Sequence, residues 1–137
     1  MKYFSDYMSE AQTKLFNENG VFFAFSNEQF NENKQENIKY VSLPGGMICP
    51  KDKVKTVINE LDKIADNAVD QDIKDNGAKK IIEREYFNHE CQISMDTDSA
   101  KSAFYHHSEK YPDLFTEEII NKTFNECFQL AVKNDWF

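Results

Sequence analysis

Arginine is almost missing from this chain: of its 16 basic residues, only Arg84 is an arginine. Bidentate capture of phosphate or guanine therefore has almost no raw material. Positive charge is scarce as well. The net charge of −8 disfavours generic binding to nucleic-acid backbones, where lysine and arginine supply most of the affinity. Cysteine numbers three (Cys49, Cys91 and Cys127), odd in count, widely spaced and without a CxxC pair. Neither a disulfide framework nor a zinc knuckle is indicated. No apolar run approaches membrane-spanning length, and the first residues lack the apolar core of a signal peptide. The expectation is a cytoplasmic protein with reduced thiols, no membrane partner and no cofactor. The motifs GxSxG, GK[ST] and HExxH are also absent.

What the chain has is aromatic bulk. Twelve Phe, six Tyr and one Trp in 137 residues suit one domain, 1–137, with an aromatic-rich core. The densest stretch, Val21-Phe22-Phe23-Ala24-Phe25 followed by Phe30, reads as a buried strand entering that core and a short helix closing over it.

Periodicity predicts an α+β fold, mostly helical, with about five helices packed on a small antiparallel sheet. A first helix spans 5–18, capped by Ser5 or Asp6 and stopped by Asn19-Gly20, with Gly20 suited to a left-handed C-cap. Ser26 or Asn27 caps the short helix that carries Phe30. Ile38–Leu43 and Met47–Cys49 form a hairpin closed by Pro44-Gly45-Gly46. Pro50 opens the clearest helix, with Val54, Val57, Ile58, Leu61, Ile64, Ala65 and Ala68 on one face. A break follows within 72–77, and a further helix reaches Glu90. Asp96-Thr97-Asp98 caps a helix through Tyr111. Thr116 caps the last, with Glu117 and Glu118 placed where the macrodipole favours acids.

Chemistry-bearing residues gather in few places. Glu85 and His89 are one helical turn apart and face the same way, an arrangement suited to a metal ion or a base with its orienting carboxylate. Glu90 is beside them, and His106, His107 and Glu109 could complete such a metal site if the two helices pack. The plainer reading makes His89 a C-terminal cap and His107 a core-edge histidine beside Phe104 and Tyr111. Cys91 near His89, and Cys49 before Pro50, lack a recognisable general base, so no catalytic residue is assigned. Asp62, Asp66 and Asp70 are spaced by four, with Asp72 and Asp75 close by. Such a row could occupy a basic groove on a protein partner; the alternative is a solvated face diluted by Lys63 and Lys74.

The segment Gly20-Val21-Phe22-Phe23-Ala24-Phe25-Ser26-Asn27-Glu28-Gln29-Phe30, the run Gly45-Gly46-Met47-Ile48-Cys49-Pro50-Lys51 and Asn88-His89-Glu90 resemble a family of small uncharacterised proteins of bacteriophages and gut-bacterial mobile elements. The resemblance spans about Leu15 to Cys91. It implies a bacterial host cell and a setting in which small acidic proteins bind and inhibit host factors, and it supplies no catalytic residue. The leading expectation is a non-enzymatic module that binds a protein partner. The rivals are a small metal-dependent enzyme at residues 85–90, and a homo-oligomer built on Trp136-Phe137.

Overall fold

A computed structural model describes residues 2–137. It is 71% helical, with seven α-helices and a three-stranded antiparallel sheet. The mostly helical α+β reading therefore holds, with more helices than the five expected. The described residues resolve into two compact units, Ser5–Ala65 and residues 2–4 with Asp66–Phe137.

In the N-terminal unit, α1 (Ser9–Asn19) follows a short 3-10 turn, Phe4–Tyr7. Neither Ser5 nor Asp6 caps it: the N-cap is Met8, whose side chain makes no capping hydrogen bond to the backbone. Its other end is as expected, with Gly20 left-handed at φ 69° and its N–H donating to Phe16 O. The sheet runs β1 (Phe22–Phe23), β3 (Met47–Pro50), β2 (Tyr40–Leu43). Phe22 lies opposite Ile48 and Phe23 opposite Met47, while Leu43 pairs with Met47 across the Pro44–Gly46 turn. Between β1 and β2, α2 (Asn27–Asn33) starts on Ser26, whose Oγ accepts from Gln29 N–H at 3.2 Å. Pro50 does not open the long helix. It closes β3 with an extended backbone (φ −53°, ψ 133°), and a turn over Lys51–Lys53 precedes α3 (Val54–Asn88). Leu15, Val21, Cys49 and Val57 form the buried core, with Phe16, Leu43, Met47 and Leu61 packed around it.

The aromatic segment is the main correction. Of its members only Val21 is buried; Phe23 is 45% and Phe25 76% exposed. The cause is local. The strand lasts two residues and alternates, with Phe22 half-buried and Phe23 on the exposed face, while Phe25 lies past its end, outside the pleat that would turn it inward.

In the other unit, the part of α3 beyond Asp66 is interrupted at one residue, Gly77 (φ 75°, ψ 161°), within the expected 72–77. Two left-handed or irregular positions account for the extra helices. Glu90 (φ 51°) separates α3 from the single turn α4 (Cys91–Ser94). Phe104 (φ −109°, ψ 23°) splits the helix expected through Tyr111 into α5 (Asp98–Ala103) and α6 (Tyr105–Lys110). Thr116 caps α7 (Glu117–Asn134), accepting from Ile119 N–H at 3.2 Å. The core here is aromatic-rich as expected, built on Ile81, Ile82, Tyr86, Phe104, Phe115 and Phe124. Trp136 and Phe137 pack edge-on against Phe87 and Phe128.

Candidate functional site

The chain's single arginine is the hub of a buried ionic network. Arg84 lies on α3 between Ile82 and Tyr86, on the face that packs into the core. Its guanidinium holds Asp72 in a two-pronged grip, Nη1 to Oδ1 at 2.8 Å and Nη2 to Oδ2 at 2.9 Å. Its Nε donates to Glu85 Oε1 at 2.7 Å, and Nη1 also donates to the carbonyl of Lys2 at 3.1 Å. Asn76 donates to Asp72 Oδ1 at 2.8 Å, one helical turn on. From α6, His107 Nε2 lies 2.8 Å from Asp72 Oδ2. Asp72 and His107 are fully buried, and Arg84 and Glu85 nearly so.

Burial pushes the Asp72 carboxyl up. The hydrogen bonds from His107, Arg84 and Asn76, with the charge on Arg84, outweigh that and hold it well below the usual carboxylate range. Asp72 is therefore an ionised acceptor, and the proton of the contact belongs to His107 Nε2. Burial pulls Arg84 down, and its bonds to Asp72 and Glu85 more than restore it. The other ring nitrogen, His107 Nδ1, is buried without a hydrogen-bond partner among the described residues. The Phe4 ring meets the imidazole edge-on at a centroid distance of 4.6 Å.

The residues singled out from the sequence are placed differently from one another. Glu85 and His89 do face each other, with Nε2 3.5 Å from Oε2. Glu85, however, is buried and already spends its other oxygen on Arg84. Glu90 is exposed at the left-handed break after α3, and His106 is exposed beside Tyr105. His107 points instead to Asp72. Among the described residues, no group of three or more His, Cys, Asp or Glu is placed to hold a metal ion. The expected convergence of residues 85–90 with His106 and His107 is thus corrected: Arg84 and Asp72 take the positions facing Glu85 and His107.

The acidic row is also altered. Asp62 and Asp75 are exposed. Asp66 and Asp70 share one cation, with Lys110 Nζ 2.9 Å from each carboxylate. A hydrogen bond from Tyr111, then that of Lys110, draws the Asp70 carboxyl down. Asp72 leaves the row altogether, because it falls four residues after Ala68 on the buried face of α3. That phase is the signal by which the sequence could have revealed it: the stripe of Val57, Leu61, Ala65 and Ala68 continues to Asp72.

All three cysteines are free and buried. Burial pushes each thiol up, Cys127 to about 12, so none is poised as a thiolate.

A second arrangement lies in the N-terminal unit. Phe25 is largely exposed, yet its ring rests on Gly46, where a Cβ would stand 2.4 Å from the nearest ring carbon. Its N–H donates to Gln29 Oε1 at 2.7 Å, tying it to the first turn of α2. Beside it lies an open cavity of about 430 Å³ lined by Ser26, Phe30, Tyr40, Ser42 and Ile48 among others.

Residues 4–130 match the profile of a family of unknown function, DUF7659. The chain belongs to that family. No curated protein and no solved structure matches it. The family match covers both units and carries no assigned activity. No helix among the described residues is long and apolar enough to cross a membrane.

Proposed function

We propose that the chain is a non-enzymatic protein-binding module, one that modulates a host or defence factor in the bacterial cytoplasm and is carried by a phage or another mobile element. The observation that supports this reading is Phe25. An aromatic ring that is exposed but already fixed by its neighbours loses little conformational freedom on binding, which is what makes a good interface anchor. Gly46 beneath the ring, the Gln29 side chain on its N–H and the Ser26 cap fix it in place. Glu28 and Glu32 on the α2 helix that follows are exposed, so the matching partner surface is an apolar pocket with lysine or arginine near it. The acidic row contributes less than its spacing implies, since Lys110 engages Asp66 and Asp70. Trp136 and Phe137, the residues that motivate a homo-oligomer, spend part of their ring surface on Phe87 and Phe128.

The test pairs capture with mass. Full-length wild type and Phe25→Ala are used as baits in a bacterial lysate, and both are weighed by light scattering at micromolar concentration. The reading expects a stoichiometric partner retained by wild type, lost by the variant, and a monomeric mass for both. No partner, or equal capture by both baits, removes it. A dimer that Phe25→Ala dissolves replaces it with self-association.

A further inference from the structure

The outer edge of the sheet carries backbone groups with nothing to bond. β2 is an outermost strand, joined to β3 alone. Antiparallel pairs alternate between bonded and non-bonded positions. Lys51 N–H donates to Lys39 O at 2.8 Å, so the bonded positions on β2 continue at Val41 and Leu43. Tyr40 and Ser42 fall between them, and their N–H and C=O groups point away from β3. The far side of β3 agrees. Ala24 N–H donates to Gly46 O, in register with Phe22 opposite Ile48, so Ile48 turns its own groups to β1 rather than to Ser42. Pro50, opposite Tyr40, has no N–H to offer. Tyr40 bonds elsewhere through its hydroxyl, which accepts from Gln35 N–H at 3.0 Å, and not through its backbone. Ser42 is exposed. The usual protections of an open edge, a proline, a bulge or a central charge, are missing from Tyr40-Val41-Ser42-Leu43.

We propose that an extended segment of a protein partner adds to β2 as a fourth strand, antiparallel like the others, bonding the N–H and C=O groups of Tyr40 and Ser42. This rests on the reading of the chain as a protein-binding module and gives that reading its mode of contact. Two features choose the occupant. The cavity of about 430 Å³ lies on the face of the sheet shared by Tyr40, Ser42 and Ile48, with Phe25 and Phe30 in its wall. The partner residue paired with Ser42 stands about 5 Å from it on that face, so a leucine, methionine or phenylalanine there reaches the cavity. Three residues further along, the partner residue opposite Lys39 lies on the other face. There Lys39 meets Lys51 directly across the ladder, both exposed and of like charge. The lysine ion pairs among the described residues belong to Lys14, Lys63, Lys79 and Lys110, so these two have none. In a chain of net −8, residues 34–55 carry five lysines against two acids. An aspartate or glutamate therefore completes the motif, and the occupant runs apolar-x-x-acid from its N-terminus.

The experiment uses the full chain. In the free protein the Val41 amide should exchange at least tenfold more slowly than those of Tyr40 and Ser42, and slow exchange at all three overturns the open edge. The probe for the occupant is a library of random heptapeptides displayed on filamentous phage. Selection should enrich apolar-x-x-acid, and the enriched peptide, made synthetically, should slow the Tyr40 and Ser42 amides at least tenfold. N-Methylation of its residue paired with Ser42 should weaken binding at least tenfold. N-Methylation of the next residue, whose N–H points away from β2, should not. Ser42→Pro removes an N–H that β3 does not use, so it should lose the peptide at least tenfold with circular dichroism retained. Should that variant unfold, the pair of N-methylated peptides decides. No enriched motif, or a bound peptide indifferent to both methyl positions, overturns the fourth strand. Lysate capture lost by Phe25→Ala but kept by Ser42→Pro leaves the Phe25 anchor standing and removes the added strand. Capture kept by Phe25→Ala and lost by a folded Ser42→Pro does the reverse.

Discussion

The two units treat polar and apolar groups in opposite ways. Ser5–Ala65 keeps its core small and leaves Phe23 and Phe25 facing water. The unit from Asp66 onward draws Tyr86, Phe104, Phe115 and Phe124 inward and takes Asp72, Arg84, Glu85 and His107 out of water with them. Charge follows the same division. The first carries seven lysines against nine acids, net −2, and the second nine basic against fifteen acidic residues, net −6. The unit richer in acid is the one that buries charge, and it does so by closing carboxylates around the only guanidinium. The lesson is that ionisable residues which look like chemistry in the sequence can be consumed by structure, while aromatics which look like core can be left as surface.

The hardest way to break this contrast is at its hub. Arg84→Met strands Asp72 and Glu85 as buried carboxylates without their cation, a loss of about 3–5 kcal/mol. Urea unfolding followed by the fluorescence of Trp136, which packs on Phe87 in the same unit, reads it directly. A midpoint within error of wild type would mean that the network is open to water.

Acid tests the same hub more gently. The Asp72 carboxyl is depressed in the folded state, so its stabilising contribution is fully present above the ordinary aspartate value of about 4 and is lost as pH falls below it. Wild type should lose urea resistance on going from pH 5 to pH 3. Asp72→Asn should start less stable and show a flatter acid limb. Parallel limbs in the two proteins would remove Asp72 as the acid-sensitive group.

How far the sequence reveals this contrast depends on the distance over which each feature is decided. The Gly20 stop, the Ser26 and Thr116 caps and the Pro44-Gly45-Gly46 turn are set by neighbouring residues, and they are legible. The Glu85–His89 facing pair is legible for the same reason. The Asp72–Arg84–His107 network joins residues 12 and 35 positions apart, and only the helical phase of Asp72 hints at it. The exposure of Phe25 depends on where a two-residue strand ends, which composition does not encode.

In the N-terminal unit the effects are smaller and more selective. Gly45 and Gly46 both sit at positive φ, 81° and 79°, where a side chain costs about 1–2 kcal/mol. Alanine at either should therefore destabilise by a similar amount. Only Gly46→Ala places a Cβ under the Phe25 ring, since nothing lies within 4 Å at Gly45. If the ring is the anchor, Gly46→Ala should weaken partner capture and Gly45→Ala should not. Equal capture by the two would separate the ring's pose from binding.

The smallest expected effect on stability sharpens the contrast most. Phe25→Ala removes a ring that is 76% exposed, so the urea midpoint should move by no more than about 0.5 kcal/mol equivalent. Phe104→Ala, the same substitution at a buried ring of the other unit, should cost about 3–5 kcal/mol. Both changes delete the same atoms, so the difference reports burial alone. A large loss at Phe25 would show that its contact with Gly46 supports the hairpin, and would move the segment back from surface to core.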